Sequence, residues 1–256
     1  MLTDDFAHAT SALKKLGGQR VWSLMISLFG DLARREGDVI DGPVLSAIMA
    51  AMDVRPEAAR VALHRLRKDN WIASEKQGRI SLHSLTPDGR AQADAASARI
   101  YTPPDDLCPN WQMLLLKSPD TDSVGLEEFT QVEPRVFVGP ANIVPPKDAY
   151  ATAGTDAPDW LKAELEPQTL TESYTQLHMA LTHATQNLPA PDALTPLEIA
   201  TLRCLIVHNW RRLALKHPAL PKPLIRDDWV GFKAHVLVAD LLTRYPRPDP
   251  TQIATA

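Results

Sequence analysis

The sequence predicts an α+β fold that is mainly α, with an N-terminal winged helix-turn-helix, a small α+β middle unit and a helical C-terminal domain. Three observations predict it. Residues 54–85 (VRPEAARVALHRLRKDNWIASEKQGRISLHSL) read as one short amphipathic helix with a two-stranded ribbon directly behind it. From Trp111 to Ala153, short apolar runs are broken by dense Pro and Gly. From Gln168 onward the apolar spacing returns to threes and fours, with clear start signals. The domain limits that follow are 1–102, 103–166 and 167–256.

In chain order, residues 1–18 read as a short polar helix or arm, where Lys14, Lys15, Gly17 and Gly18 could track a phosphate backbone. Gln19–Glu36 forms a helix with Val21, Trp22, Leu24, Met25, Leu28, Phe29 and Leu32 as its apolar stripe, ended by Gly37. Asp41 caps the next helix, Pro43–Met52. After a tight turn, Pro56 occupies the first position of a third helix, where its missing N–H costs nothing. Ala59, Ala62, Leu63 and Leu66 make that helix's apolar face. The ribbon is Trp71–Ser74, a turn through Lys76–Arg79 in which Gly78 supplies a positive φ, and Ile80–Leu85. Thr86-Pro87 restarts a helix to about Tyr101, and Pro103–Asp106 is the first linker.

In the middle unit, Trp111–Leu116 and Arg135–Val138 read as strands, with a short helix around Leu126–Phe129 and further strands at Ile143–Val144 and Tyr150–Ala153. Thr169–Glu172 has the form of a capping box opening a helix to Asn187, with Leu170, Tyr174, Leu177, Leu181 and Met179 inward. Thr195–Glu198 is a second capping box. Its helix carries Leu202, Leu205, Ile206 and Leu213 and ends near His217-Pro218. The last helix, Trp229–Arg244, packs Val230, Val236, Leu237, Leu241 and Leu242.

The formal charge of −4 hides an asymmetry. Arg55–Arg90 holds eight Arg or Lys against four acids, whereas Thr102 onward holds thirteen against nineteen. One basic patch on an acidic chain suits a polyanion at one place only. No apolar run nears membrane-spanning length, and no basic stretch followed by an apolar one opens the chain, so a cytoplasmic protein is expected. The two cysteines, Cys108 and Cys204, lack metal-type spacing and are expected to be reduced thiols.

Catalytic patterns are missing: no phosphate-cradling Gly-rich loop, no G-x-S-x-G elbow, no H-E-x-x-H. His178 and His183 are five apart and do not share a helix face as zinc ligands would. Glu127-Glu128 and Asp227-Asp228 read as solvated or capping carboxylates. The expectation is no enzyme, no metal and no cofactor.

DNA reading is better founded. Arg55, Glu57, Arg60, Val61 and His64 lie towards the start of the third helix, where base contacts are usual, and Arg is the best reader of guanine. Arg65, Arg67 and Lys68 suit phosphate or structural contacts, and Lys76 and Arg79 at the wing tip suit phosphate or the minor groove. A solvated basic face on a helical packing domain is the other reading of the same residues.

Two blocks of residues resemble a known family. The first is Ser27–Asp31, Arg60–Leu66, Asn70-Trp71, Gly78–Ser81 and Leu85–Arg90. The second is Leu202–Arg212, Pro218–Pro221 and Asp228–Gly231. Together they resemble the PaaX-type transcriptional regulators, repressors of phenylacetate-degradation genes. The resemblance implies a winged helix, a middle ferredoxin-like unit similar to small CRISPR-associated endoribonucleases, and a helical C-terminal domain. It also implies a homodimer on a palindromic double-stranded DNA operator, released when an aryl-CoA thioester or related acyl-CoA binds. Two departures stand out. Ser118–Pro134 is short, and Lys117 stands where nuclease-like relatives need an aspartate, with Asp120 and Asp122 only later. Arg55 takes a cap position usually held by serine.

Arg203, His208, Arg211, Arg212 and Trp229, with Trp210 and Lys216 nearby, have two readings. They could cradle the phosphates and aryl group of a CoA ester, or form a structural network with Asp227 or Asp228. Two other functions remain open: a metal-dependent nuclease acting through the middle unit, and a winged-helix module that binds protein.

Overall fold

The structure, a computed structural model, describes residues 2–16, 20–118, 125–216 and 220–253. It is α+β and mainly helical, with two small antiparallel sheets. Gly17, Gly18, Asp120, Asp122 and the expected helix end at His217-Pro218 lie outside the described residues.

The first helix, α1 (Asp4–Lys15), is amphipathic rather than a polar arm: Phe6, Ala9, Thr10 and Leu13 are buried. The spacing of Phe6, Ala9 and Leu13 lines one face, which packs on helices near the C-terminus. Lys14 reaches Asp53 at 3.1 Å. Helix α2 (Val21–Leu32) ends before Gly37, with Ala33 as its cap. The Asp38 carboxylate accepts from Arg35 N–H at 2.8 Å and holds a separate turn, in which Gly37 takes φ +84°.

Strand β1 (Ile40–Asp41) leads into α3 (Gly42–Ala51), capped as expected by Asp41, whose carboxylate accepts from Val44 N–H at 2.7 Å. Asp53 turns the chain in the left-handed region (φ +62°), and Val54 N–H donates to Met49 C=O at 3.0 Å. Helix α4 (Pro56–Lys68) follows at once. Its Ala62 and Leu66 are buried, and Ala59 and Leu63 pack partly exposed against the same core.

Asn70 then takes φ +56°, Trp71 N–H closes on Leu66 C=O at 2.8 Å, and the chain enters β2 (Ile72–Gln77) and β3 (Ile80–Leu85). Gln77 pairs with Ile80, so the turn is two residues, Gly78-Arg79, shorter than expected. Gly78 sits at φ +63°. The sheet order is β1-β3-β2. Helix α5 (Pro87–Tyr101) starts where Thr86 accepts from Gly89 N–H. Thr86 Oγ1 also donates to Asn70 C=O at 2.5 Å, and Asn70 donates to Asp88 at 2.6 Å. A Cβ on Gly89 would lie 2.3 Å from the Trp71 carbonyl oxygen, so only glycine lets α5 approach the ribbon's base this closely.

The middle sheet contains β4 (Trp111–Leu116), β5 (Thr130–Glu133), β6 (Val136–Pro140) and β7 (Ala149–Ala153), antiparallel in the order β5-β6-β4-β7. Leu126–Phe129 forms turns rather than the expected helix, and Ile143–Val144 is not a strand. Gln112 explains the latter: its amide donates to Pro140 and Ile143 carbonyls at 2.9 and 2.6 Å, folding that segment over the sheet end. Strand β5 was not expected from the sequence. Helix α6 (Asp159–Leu165) buries Leu161 and Leu165 against Trp111 and Val138.

Helix α7 (Thr171–Asn187) begins two residues later than its Thr169 signal, because Gln168–Leu170 is spent in a 3-10 turn and Leu170 becomes the cap. Tyr174, Leu177 and Leu181 are buried, whereas Met179 is 66% exposed. Helix α8 (Pro196–Ala214) has the expected capping box at Thr195–Glu198. Helix α9 (Val230–Arg244) follows Trp229, and its Val236 faces outward.

The core runs without a break from Phe6 and Leu24 through Leu205 and Ile206 to Val238 and Leu241. Helix α8 lies at its centre, with its residues from Ala200 to Trp210 all buried. Helix α2 packs along α8, and α1 packs on α7 and α8. The N-terminal and C-terminal segments therefore share one apolar interior.

Candidate nucleic-acid interface and neighbouring cavities

The outer face of α4 is set by its inner one. With Ala62 and Leu66 buried, Arg55, Glu57, Arg60, Val61 and His64 point away from the core and are exposed, Val61 by 71%. Lys68 is exposed at the helix end, and Lys76 and Arg79 are exposed at the ribbon tip. Among the described residues, none of Arg55, Arg60, Lys68, Lys76 and Arg79 has an acid within ion-pair distance. Arg65 differs: its guanidinium lies 4.7 Å above the Trp22 ring and 3.4 Å from Asp69, so it fastens α4 to α2. Arg55 is the α4 cap and makes no side-chain cap bond. The face thus presents arginines outside any ion pair among the described residues, one carboxylate at Glu57, one apolar side chain and one imidazole on the exposed side of α4.

Beneath this surface His83 is buried and lies 2.8 Å from Ser74 Oγ. Burial, with Arg67 nearby, lowers its pKa against the opposing pull of Asp41. It is a structural group of the ribbon.

The C-terminal residues do not line one cavity: Arg211, Arg212 and Trp229 stand in the walls of three separate ones, although Arg211 and Arg212 lie near enough to His208 to act on its charge. Arg203 is buried and bound by both ends of its guanidinium. Nε and Nη2 donate to Asp31 at 2.8 and 2.9 Å, and Nη1 donates to the Leu242 and Tyr245 carbonyls at 2.8 Å. Tyr101 donates to the same Asp31 at 3.1 Å, and burial followed by Asp31's charge drives that phenol's pKa strongly up. The network expected of Asp227 or Asp228 therefore centres on Asp31 of α2 instead. Asp227 pairs with Lys222, and Asp228 with Arg226. His208 is fully buried, with Nδ1 3.2 Å from Ser27 Oγ. Burial first, then Arg212 and Arg211, lowers its pKa to about 4, so the ring is neutral.

Trp229 stands apart from these, in the wall of a cavity of about 300 Å³ between α5, α7, α8, α9 and the end of the middle sheet. Tyr174 meets Trp229 edge to face at 5.2 Å, and Trp210 stacks on His235 at 4.9 Å. Trp210 donates to Ile100 C=O at 3.1 Å, and His235 Nε2 lies 2.8 Å from Thr102 C=O, fixing both rings. A Cβ on Gly231 would meet the Trp229 ring at 2.3 Å, so glycine lets that ring fold back. Phe232, Arg99, Asp106 and Glu128 also stand in the walls, and Arg99 donates to Ala214 C=O at 2.6 Å. Of these wall residues, the sequence flagged only Trp210 and Trp229 as possible ligand contacts. Tyr174 was read as core, and Arg99, Phe232 and His235 carry no local signal.

No group of three His, Cys, Asp or Glu among the described residues could hold a metal ion, and no described helix is long and apolar enough to cross a membrane. Cys204 is buried and Cys108 half-buried, both free. Burial drives the Cys204 thiol's pKa strongly up, so it is an inert core residue.

Comparison with known proteins places these features in a family. Residues 20–89 match the model described as PaaX-like protein, and residues 166–250 match the PaaX-like protein C-terminal domain. The transcriptional repressor PaaX of Escherichia coli (strain K12) is 26% identical, the match covering 96% of this chain and 85% of that one. A solved structure of an uncharacterised Mycobacterium tuberculosis protein superposes with a TM-score of 0.52 at 17% identity, covering 89% of this chain and 97% of the other, a likeness of fold alone. The two family models span more than half of the chain, and they hold both the exposed α4 face and the helix at the centre of the core: the chain belongs to the PaaX-like proteins.

Proposed function

We propose that the protein is a non-enzymatic transcriptional regulator of the repressor type. In this reading α2, α3, α4 and the β2–β3 ribbon act as a winged helix-turn-helix. Helix α4 enters the major groove, and the ribbon tip lies along the backbone or minor groove. The observation that carries the reading is the edge of α4, where Arg55, Glu57, Arg60 and His64 are exposed and, among the described residues, neither arginine is tied to an acid. Arg60 suits a guanine edge, and Val61 suits a thymine methyl. Lys68, Lys76 and Arg79 suit phosphates, with Arg65 held to Trp22 as support. The likeness to a named transcriptional repressor over nearly the full chain supports the same reading.

The rest of the proposal concerns control. The regulator acts as a homodimer on a two-fold symmetric operator. An acyl-CoA effector shifts the population towards a dimer geometry whose two reading helices no longer fit adjacent grooves. The aromatic cavity at Trp229 supports an acyl or aryl group bound there. Arg203 and His208, buried and engaged in the core, belong to the scaffold behind it.

Replacing Arg60 by Ala tests the reading. Operator affinity falls by about 1–3 kcal/mol at matched salt, measured by fluorescence anisotropy on the protein's own promoter. Unchanged affinity would remove α4 as the reading helix. Calorimetric titration with phenylacetyl-CoA against free CoA tests the effector separately, and no heat from either ends that part alone.

A further inference from the structure

A second cavity, of about 220 Å³, lies where α2, α5 and α8 meet the base of the ribbon. Its walls include Ser27 and Gly30 of α2, Ala93 and Ala96 of α5, Trp71, and Arg211 of α8. It is mostly apolar, with one guanidinium. Arg211 donates from Nη2 to Ser23 Oγ at 3.3 Å, but its buried Nε has no acceptor among the described residues. Among the described residues no carboxylate lies within ion-pair distance of it. Burial lowers its pKa, and the groups that pull the other way are only Tyr101 and Cys204, neither of them ionised at neutral pH. Its neighbour on the helix, His208, is neutral and adds no counter-charge. A guanidinium drawn out of water beside an open cavity, with no anion to meet it, is a group short of its partner.

We propose that this cavity binds a small organic carboxylate, its anionic end taken by Arg211 and its apolar body lying against Ala93, Ala96 and Trp71. The Nε–Nη fork of a guanidinium matches a carboxylate edge in the plane. A phosphate fits less well. The remaining walls are largely apolar, and the hydroxyls nearby are already engaged: Ser27 with Ser23 C=O and His208, Tyr101 with Asp31, and Ser23 with Arg211 itself. The volume exceeds the roughly 150 Å³ of an engineered cavity that takes benzene, so a compact ring or short chain fits beside the charged end. Gly30 leaves part of this space open, since a Cβ built there meets nothing within 4 Å. The site is separate from the aromatic cavity at Trp229, and it does not rest on the assignment of α4, because binding is read without DNA.

The test uses the full chain, with calorimetry and thermal shift against benzoate and hexanoate, their neutral amides, and inorganic phosphate. The expected result is saturable binding of a carboxylate at least tenfold tighter than its amide and tighter than phosphate. Arg211→Gln removes the preference for the acid. Gly30→Leu keeps the charge, fills the space and removes binding; it decides the matter if Arg211→Gln does not fold. Equal binding of acid and amide, preference for phosphate, or carboxylate binding that survives Gly30→Leu each overturn the proposal.

Discussion

Asp31 and Arg203 illustrate how a motif residue can belong to the fold rather than to a ligand site. The carboxylate takes two guanidinium bonds and the Tyr101 hydroxyl, and Arg203 also closes two carbonyls near the end of α9. Removing one partner strands a buried charge. Arg203→Ala is expected to cost about 3–5 kcal/mol in urea unfolding, while Asp31→Leu with Arg203→Met costs much less than the two single changes together. His208 yields a pH prediction. Unfolded, it titrates near 6.5, and folded near about 4, chiefly through burial. Its folded pKa is depressed, so the unfolded chain binds the extra proton between those values. The stability it supports is full above about pH 6.5 and declines as pH falls towards 4, by up to about 3 kcal/mol. His208→Gln should flatten that part of the stability–pH curve, read from urea midpoints at pH 7, 5.5 and 4.5. By residue type Arg203 and His208 fit either a ligand cradle or a structural network, and the sequence pointed that network at Asp227 or Asp228; the position of α8 at the centre of the core makes them interior groups and gives Arg203 to Asp31.

At the scale of elements, legibility followed capping and periodicity. Asp41, Pro56, Thr86 and Thr195 are local signals whose hydrogen bonds or φ values close within one turn, and each stands where its helix begins. Thr169 carries the same signal and fails, because a 3-10 turn of equal local merit takes residues 168–170. Strand β5 gave no signal, since Thr130–Glu133 is short and only half-buried at the sheet edge. The candidate reading face was legible because burying Ala62 and Leu66 fixes which residues of α4 look outward. The aromatic cavity was not, since its walls come from four helices and from segments at the end of the middle sheet. Arg55 provides the element-scale prediction. It holds the α4 cap position without a cap bond, so Arg55→Ser should raise stability by about 1 kcal/mol in urea unfolding. The same change removes an exposed cation. Operator affinity should fall, and the slope of log affinity against log salt should shrink by about one if Arg55 meets a phosphate.

For the whole molecule, the continuous core decides how the chain unfolds. Helix α2 gives Leu24, Met25 and Leu28 to the same interior as Leu205 and Ile206 of α8, and α1 packs on α7 and α8. The chain's first described turn is also tied to the far end. Glu198 accepts from the Thr3 N–H and hydroxyl at 2.7 and 2.8 Å while closing its own capping box with Thr195. Burial works to raise the Glu198 pKa, but these bonds outweigh it and the carboxyl stays ionised. A segment ending at residue 102 would therefore expose the faces of α1 and α2 that α7 and α8 cover. Each buried leucine or phenylalanine so exposed forfeits about 1.5–3 kcal/mol, against a net stability of about 5–15 kcal/mol for a typical domain. Residues 1–102 expressed alone are expected to lack a cooperative thermal transition, whereas the full chain should lose α-helical circular dichroism and the burial of Trp210 and Trp229 at one urea midpoint. Two separated midpoints, or a fragment that melts cooperatively, would show that residues 1–102 fold independently. A shared interior also bears on the proposed control: a ligand held against α8 or α9 would act on the helices that α2 and α5 rest upon, so coupling to α4 would need no separate hinge.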